Sequence, residues 1–194
     1  MSDELKKRIF TSLLLLSLFA AMYLYSFIMM VALIIIATVV WIEFYALISK
    51  IFSNNKLKDR LLRKLCKLIS LLYLSFLVYL IFSIEFFYPN LKLYLLYSVL
   101  VAILSDVGGL VFGKIFKGKK LTKISPNKTI SGSIGSSIFS LFLIPFFYEK
   151  LIFNSFLTLI LITVAITITS QLGDLFISLL KRKAKVKDTS DLLP

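Results

Sequence analysis

Between Ile9 and Ile48 the chain carries a single charged side chain, Glu43. That run is about twice the roughly 20 residues a helix needs to cross a bilayer. It is also far longer than the h-region of a secretory signal, and no small-x-small cleavage site interrupts it, so it reads as retained despite Lys6, Lys7 and Arg8. The expectation is a tight helical hairpin with its turn near Tyr25-Ser26.

Similar runs follow. Leu68–Phe87 reads as a span closed by Tyr88-Pro89-Asn90, and residues 91–116 as the next, interrupted by Asp106 and Gly108-Gly109. Residues 132–148 and 151–180 read as two more, the second too long for the bilayer and so projecting into water. A loop at 117–131 separates them from the span at 91–116, and residues 181–194 form a charged tail. At 59% hydrophobic, with a mean hydropathy of +0.93, the 194 residues leave no room for a soluble domain of ordinary size. The expected fold is an all-α polytopic transmembrane bundle of about six spans, one domain over 1–194.

Six spans put both termini on one side. The basic clusters at 6–8, 50–67, 114–128 and 181–187 then share that side, and only Lys92 and Lys150 oppose them. The positive-inside rule makes this side cytoplasmic, in a cell (inner or plasma) membrane. The net charge of +13 is thereby explained without nucleic acid: the lysines lie in short interhelical clusters rather than on a soluble basic face. Membrane lipid is the expected partner, since such clusters attract anionic head groups.

Cys66 stands alone, so no intrachain disulfide can form, and the sequence has no histidine. Histidine general acid–base catalysis, Ser-His triads and His-ligated zinc are excluded. Carboxylates, Lys, Arg, hydroxyls and metal ions remain.

Four carboxylates fall within apolar runs, where charge is costly. Glu43 and Glu85 lie near the ends of their spans and read as interfacial. Asp106 and Asp174 each sit beside glycine, in Ser105-Asp106-Val107-Gly108-Gly109 and Ser170-Gln171-Leu172-Gly173-Asp174. Glycine permits close approach of backbone or ligand. Two carboxylates at one depth suit a hard cation such as Mg²⁺; structural ion pairs with nearby lysines are the alternative. Helical spacing sets Asp174, Ser178 and Lys181 along one face.

The loop from Ile124 to Gly132 contains Pro126-Asn127, a turn signal, and Thr129 or Ser131 as helix cap. The N-terminus of the following helix favours an anion, aided by Lys123 and Lys128; an ordinary capped basic loop is the alternative. Gly113 to Lys120 nearly spells a phosphate-binding P-loop, but a lysine replaces the required hydroxyl after Lys119, and the segment leaves a membrane helix rather than a strand.

Taken together these residues resemble the phosphatidate cytidylyltransferases (CDP-diacylglycerol synthases). The family pattern Ser-x-hydrophobic-Lys-Arg, four residues, Lys-Asp, then Leu-Pro is matched by Ser178, Leu180, Lys181, Arg182, Lys187, Asp188 and Leu193-Pro194. Gln171 to Leu175, Ser105-Asp106, Gly113-Lys114 and Ile124 to Thr129 with Gly132 also resemble family segments. The likeness covers roughly the last half of the chain; the first half agrees only in hydropathy.

The resemblance implies attack of the phosphate of phosphatidic acid on the α-phosphorus of CTP, giving CDP-diacylglycerol and pyrophosphate, with Mg²⁺ as cofactor. It makes Asp174 a metal ligand. Lys181, Arg182, Lys187 and Asp188 line the catalytic site, and Asp106, Ser125, Asn127, Lys128, Thr129 and Ser178 bind substrate. A homodimer is a further expectation. The family pattern continues beyond its Pro with His-Gly-Gly and Asp-Arg-x-Asp, which supplies the second metal-binding aspartate. This sequence stops at Pro194, so the expectation is a member lacking the end of the motif, with an inactive remnant or a related CTP-dependent lipid kinase as alternatives. Ile130-Ser131 stand where the family has Trp-Glu, Ile177 where it has Glu and Gly109 where it has Ala.

Overall fold

A computed structural model describes residues 3–54, 56–122, 125, 128–152 and 155–186, with side chains from Phe10 onward. The described residues form seven α-helices in order: α1 (Asp3–Leu24), α2 (Ser26–Ile51), α3 (Leu57–Phe87), α4 (Lys92–Phe116), α5 (Ile130–Leu141), α6 (Ile144–Phe147) and α7 (Phe156–Lys183). The described residues form no β-strand beyond a single bridge between Lys120 and Thr129. Five segments are long and apolar enough to cross a membrane: Ser26–Ile51, Leu57–Phe87, Pro89–Phe116, Ile130–Phe147 and Phe156–Lys183. The apolar part of α1, Phe10–Leu24, is shorter. At most 28% of any apolar window is buried within the protein. So much exposed Leu, Ile and Phe belongs in lipid, since soluble surfaces do not carry patches of this size.

The chain divides into two compact units, Met1–Pro89 with Lys183–Pro194, and Asn90–Arg182. In the first, α1 and α2 are separated at Tyr25, whose backbone is extended (φ −123°, ψ 107°). Ser26 Oγ, at the start of α2, donates to Glu85 Oε1 of α3 at 2.6 Å. The Glu85 carboxylate is thus tied to the α1–α2 corner rather than simply reaching for water. The helix α3 begins at Leu57, eleven residues before the apolar run, because Arg60, Arg63 and Lys64 form helix readily outside the bilayer and Asp59 in the first turn suits the helix dipole. Pro89 ends it, lacking an N–H and disfavouring helix at the residue before it.

The second unit carries Asp106, Lys128, Thr129 and Asp174. Its α4 and α5 approach closely enough that a Cβ on Gly135 would lie 2.3 Å from Phe112 Cβ, and one on Gly108 2.5 Å from Phe139 Cβ. A Cβ on Gly132 would meet the Gly109 carbonyl at 2.8 Å. Small residues at membrane-helix interfaces serve this purpose, since lipid offers no hydrophobic drive and backbone proximity must supply the packing. The interruption at Gly108-Gly109 is therefore a packing surface within one continuous helix.

The helix α7 joins this pair through side chains. Thr163 Oγ1 gives its proton to the Leu159 carbonyl (2.7 Å), so Tyr97 Oη must be the donor in its 2.5 Å bond to Thr163. Tyr97, Val101, Ile144, Leu151 and Leu159 form the buried cluster around that bond, with Phe147 against the Tyr97 ring. The helix α7 continues through Lys181 and Arg182 to Lys183. These residues were expected in a tail, but basic side chains at a helix C-terminus are favoured by its dipole.

Candidate active site

Four pieces of the second unit meet around a cavity of about 300 Å³. The C-terminal half of α4 supplies Asp106, the segment before α5 supplies Lys128 and Thr129, α5 supplies Ser133, and α7 supplies Gln171 and Asp174. Gly109, Gly132 and Ser136 complete one wall where α4 and α5 touch.

The segment after α4 folds back to present Lys128. Lys117 closes α4 in the left-handed region (φ 40°) and Gly118 follows. Gly118 N donates to Ser131 Oγ at 3.2 Å, Ile130 N to the Lys119 carbonyl at 2.9 Å and Leu121 N to the Lys128 carbonyl at 2.8 Å. Lys128 N donates to the Ser125 carbonyl at 3.1 Å. Thr129 caps α5, its Oγ1 accepting from Gly132 N at 3.1 Å. Two of the first three N–H groups of α5 are thus already engaged, and an anion here would depend on Lys128 and the helix dipole rather than on a row of free amides.

Opposite, Gln171 and Ser133 clamp α7 to α5: Ser133 Oγ donates to Gln171 Oε1, and Gln171 Nε2 donates to the Ser133 carbonyl at 3.3 Å. One turn further along α7, Asp174 Oδ2 accepts from Lys128 Nζ at 2.7 Å. The side chains of this pair are 30% and 51% exposed. An ion pair so open to solvent holds the fold by only about 0–1 kcal/mol. It is therefore cheap to exchange for a ligand's phosphate on the lysine and a cation on the aspartate. Asp106 lies within electrostatic reach of both partners.

The structure thus brings together Asp106, Lys128, Thr129 and Asp174 around one cavity. Ser125, whose carbonyl accepts from Lys128 N, does not line the cavity. Ser178, Lys181 and Arg182 lie along the last turns of α7, beyond the cavity lining. Asn127, Lys187 and Asp188 lie outside the described residues. Gln171, Ser133, Ser136 and the glycines of the wall were not singled out as site residues from sequence. Gln171 stands three residues before Asp174, and that helical spacing is the one local sign of its role.

The donor set fits Mg²⁺. No group of three or more His, Cys, Asp or Glu side chains converges among the described residues. Two carboxylates, Asp106 and Asp174, nevertheless face one cavity with hydroxyl and carboxamide oxygens beside them. Mg²⁺ is characteristically held by one or two carboxylates, with water and substrate phosphates completing its shell. At about 300 Å³ the cavity stands at the small end of ligand pockets.

Comparison with known proteins places the geometry in context. The model of the cytidylyltransferase family matches residues 3–194. The chain is 43% identical over 104 residues to the phosphatidate cytidylyltransferase of Staphylococcus haemolyticus, covering 52% of this chain and 40% of that protein. It is 40% identical over 103 residues to the phosphatidate cytidylyltransferase of Staphylococcus aureus, covering 52% and 40%. With that of Rickettsia bellii it shares 39% identity over 97 residues, covering 46% and 42%. The matched part thus spans about two fifths of each of these relatives. No solved structure matches the chain.

Proposed function

Because this chain belongs to the cytidylyltransferase family, we propose that it transfers CMP from CTP to phosphatidic acid, giving CDP-diacylglycerol and pyrophosphate. The observation that carries this reading is the convergence of Asp106, Lys128 and Asp174 on one cavity between membrane-spanning helices.

A phosphate oxygen of phosphatidic acid forms a bond to the α-phosphorus of CTP, and the bond from that phosphorus to the bridging oxygen of the β-phosphate breaks. The electron pair leaves with pyrophosphate. The nucleophile is already an anion, so no side chain need take a proton from it, which agrees with a chain that lacks histidine. The chain's tasks are to position two anions against each other and to offset their repulsion. Lys128 releases Asp174 and takes a phosphate. The Gln171–Ser133 clamp fixes α7, and with it the position of Asp174, against α5. Asp106 and Asp174 would hold Mg²⁺, which would neutralise the triphosphate and polarise its phosphorus–oxygen bonds.

Lys114, Lys117, Lys119 and Lys120 cluster where α4 leaves the apolar region and runs into the cavity loop. This supports a cytoplasmic cavity, where CTP is found. The test uses the purified chain in vesicles of phosphatidic acid and phosphatidylcholine with CTP labelled at either the α- or the γ-phosphate. Label entering lipid from the α-position alone is expected; label from the γ-position would identify a kinase instead.

A further inference from the structure

A second cavity, about 640 Å³ in volume and open along its length, runs between α4 and α7. Val99, Ala102 and Ile103 line it from α4, and Ile162, Ala165 and Ile166 from α7. Resting on the proposed reaction, we infer that this groove holds an acyl chain of the lipid-phosphate substrate.

Three observations carry the assignment. Asp106 lines both this groove and the polar cavity, so the two adjoin at that residue. From there the groove extends along α4 back to Ser98, about 12 Å of helix rise. It covers a similar length of α7, from Ser170 to Ile162. These stretches lie on the Lys92 side of α4 and the Phe156 side of α7, whereas the polar cavity takes Asp106, Gly109 and Leu110 and then Gln171 and Asp174, further toward Phe116 and Lys183, together with the loop. The order with depth, polar then apolar, is that of a lipid with its head group at the polar cavity.

The groove's chemistry agrees. Ser98 Oγ donates to the Leu95 carbonyl and Thr169 Oγ1 to the Ala165 carbonyl, each at 2.8 Å. Both hydroxyls are turned back onto their own helices, so they offer hydrocarbon no unsatisfied donor. At the polar end Lys128 supplies the positive charge that a phosphate head group needs, which a zwitterionic bystander lipid would not use as well. The lipid is therefore assigned as substrate rather than as boundary lipid.

The test uses the full chain in phosphatidylcholine vesicles with a phosphatidic acid carrying a diazirine midway along one acyl chain. Photolabel is expected in the peptides spanning 98–106 and 162–170, and unlabelled phosphatidic acid is expected to displace it while extra phosphatidylcholine does not. Ala102→Phe and Ala165→Phe, which fill the groove, should each cut that labelling about tenfold. Ala165 is exposed, so its variant tests the groove even where Ala102→Phe upsets packing. Label scattered over all lipid-facing helices, or displaced equally by both lipids, would overturn the assignment. So would absence of label from the two segments in the unsubstituted chain, as when a second copy covers the groove. CMP transfer with label elsewhere would remove the groove and leave the reaction standing. Displaceable label in both segments without CMP transfer would support the groove and count against the reaction.

Discussion

Lys128 and Asp174, forty-six residues apart, form a 2.7 Å ion pair across the polar cavity, joining the loop before α5 to the middle of α7. Its solvent exposure makes the pair a weak brace, and its place beside Asp106 makes both members available to ligands.

Removal of the lysine should therefore separate stability from activity. Lys128→Ala is expected to change unfolding in detergent by no more than about 1 kcal/mol. CMP transfer should fall about a hundredfold, the usual cost of losing one preorganised charge at a developing anion. A large loss of stability with proportionate loss of activity would make the pair structural.

The glycines of the second unit should differ sharply. Gly135→Ala drives a methyl into Phe112 and is expected to destabilise the unit by about 1–3 kcal/mol. A Cβ on Gly173 would meet no protein atom within 4 Å. Gly173→Ala should be neutral or stabilising by up to about 1 kcal/mol through helix propensity. Thermal unfolding of both variants in the same detergent decides the point.

The clamp between α5 and α7 should show as coupling. In a double-mutant cycle, Ser133→Ala and Gln171→Ala are expected to fall short of additivity by about 0.5–1 kcal/mol in unfolding free energy. Additive effects would mean that the bond from Ser133 Oγ to Gln171 Oε1 does not hold the helices together.

The helical class and the apolar spans were legible because hydropathy over about 20 residues reports bilayer crossing almost regardless of tertiary context. Asp106 and Asp174 stood out by the same logic, as charges where charge is costly. The sequence left two readings of them, metal ligands or ion pairs with lysine. Asp174 is paired with Lys128, in a contact weak enough that ligation is not thereby excluded. Less legible were features set by long-range contact. Nothing local to Ser133 announces a partner at Gln171, and Gly135 reveals its purpose only once Phe112 lies against it. Gly108-Gly109 and Gly173 look alike in sequence, yet the first pair receives α5 and the last faces no protein atom. The reach of α3 and α7 beyond their apolar cores was also hidden, because hydropathy marks where lipid ends and not where hydrogen-bonded helix ends.

Transfer of α-labelled CMP from CTP into lipid by this chain, compared with its Asp174→Asn variant, tests the central claim most directly. The membranes should contain phosphatidic acid and Mg²⁺ and come from a host depleted of its own synthase. Labelled CDP-diacylglycerol formed by the unsubstituted chain and abolished by Asp174→Asn, with both chains inserted equally, is the predicted result. Equal labelling by both would remove Asp174 from the site, and no labelling by either would contradict the proposed reaction.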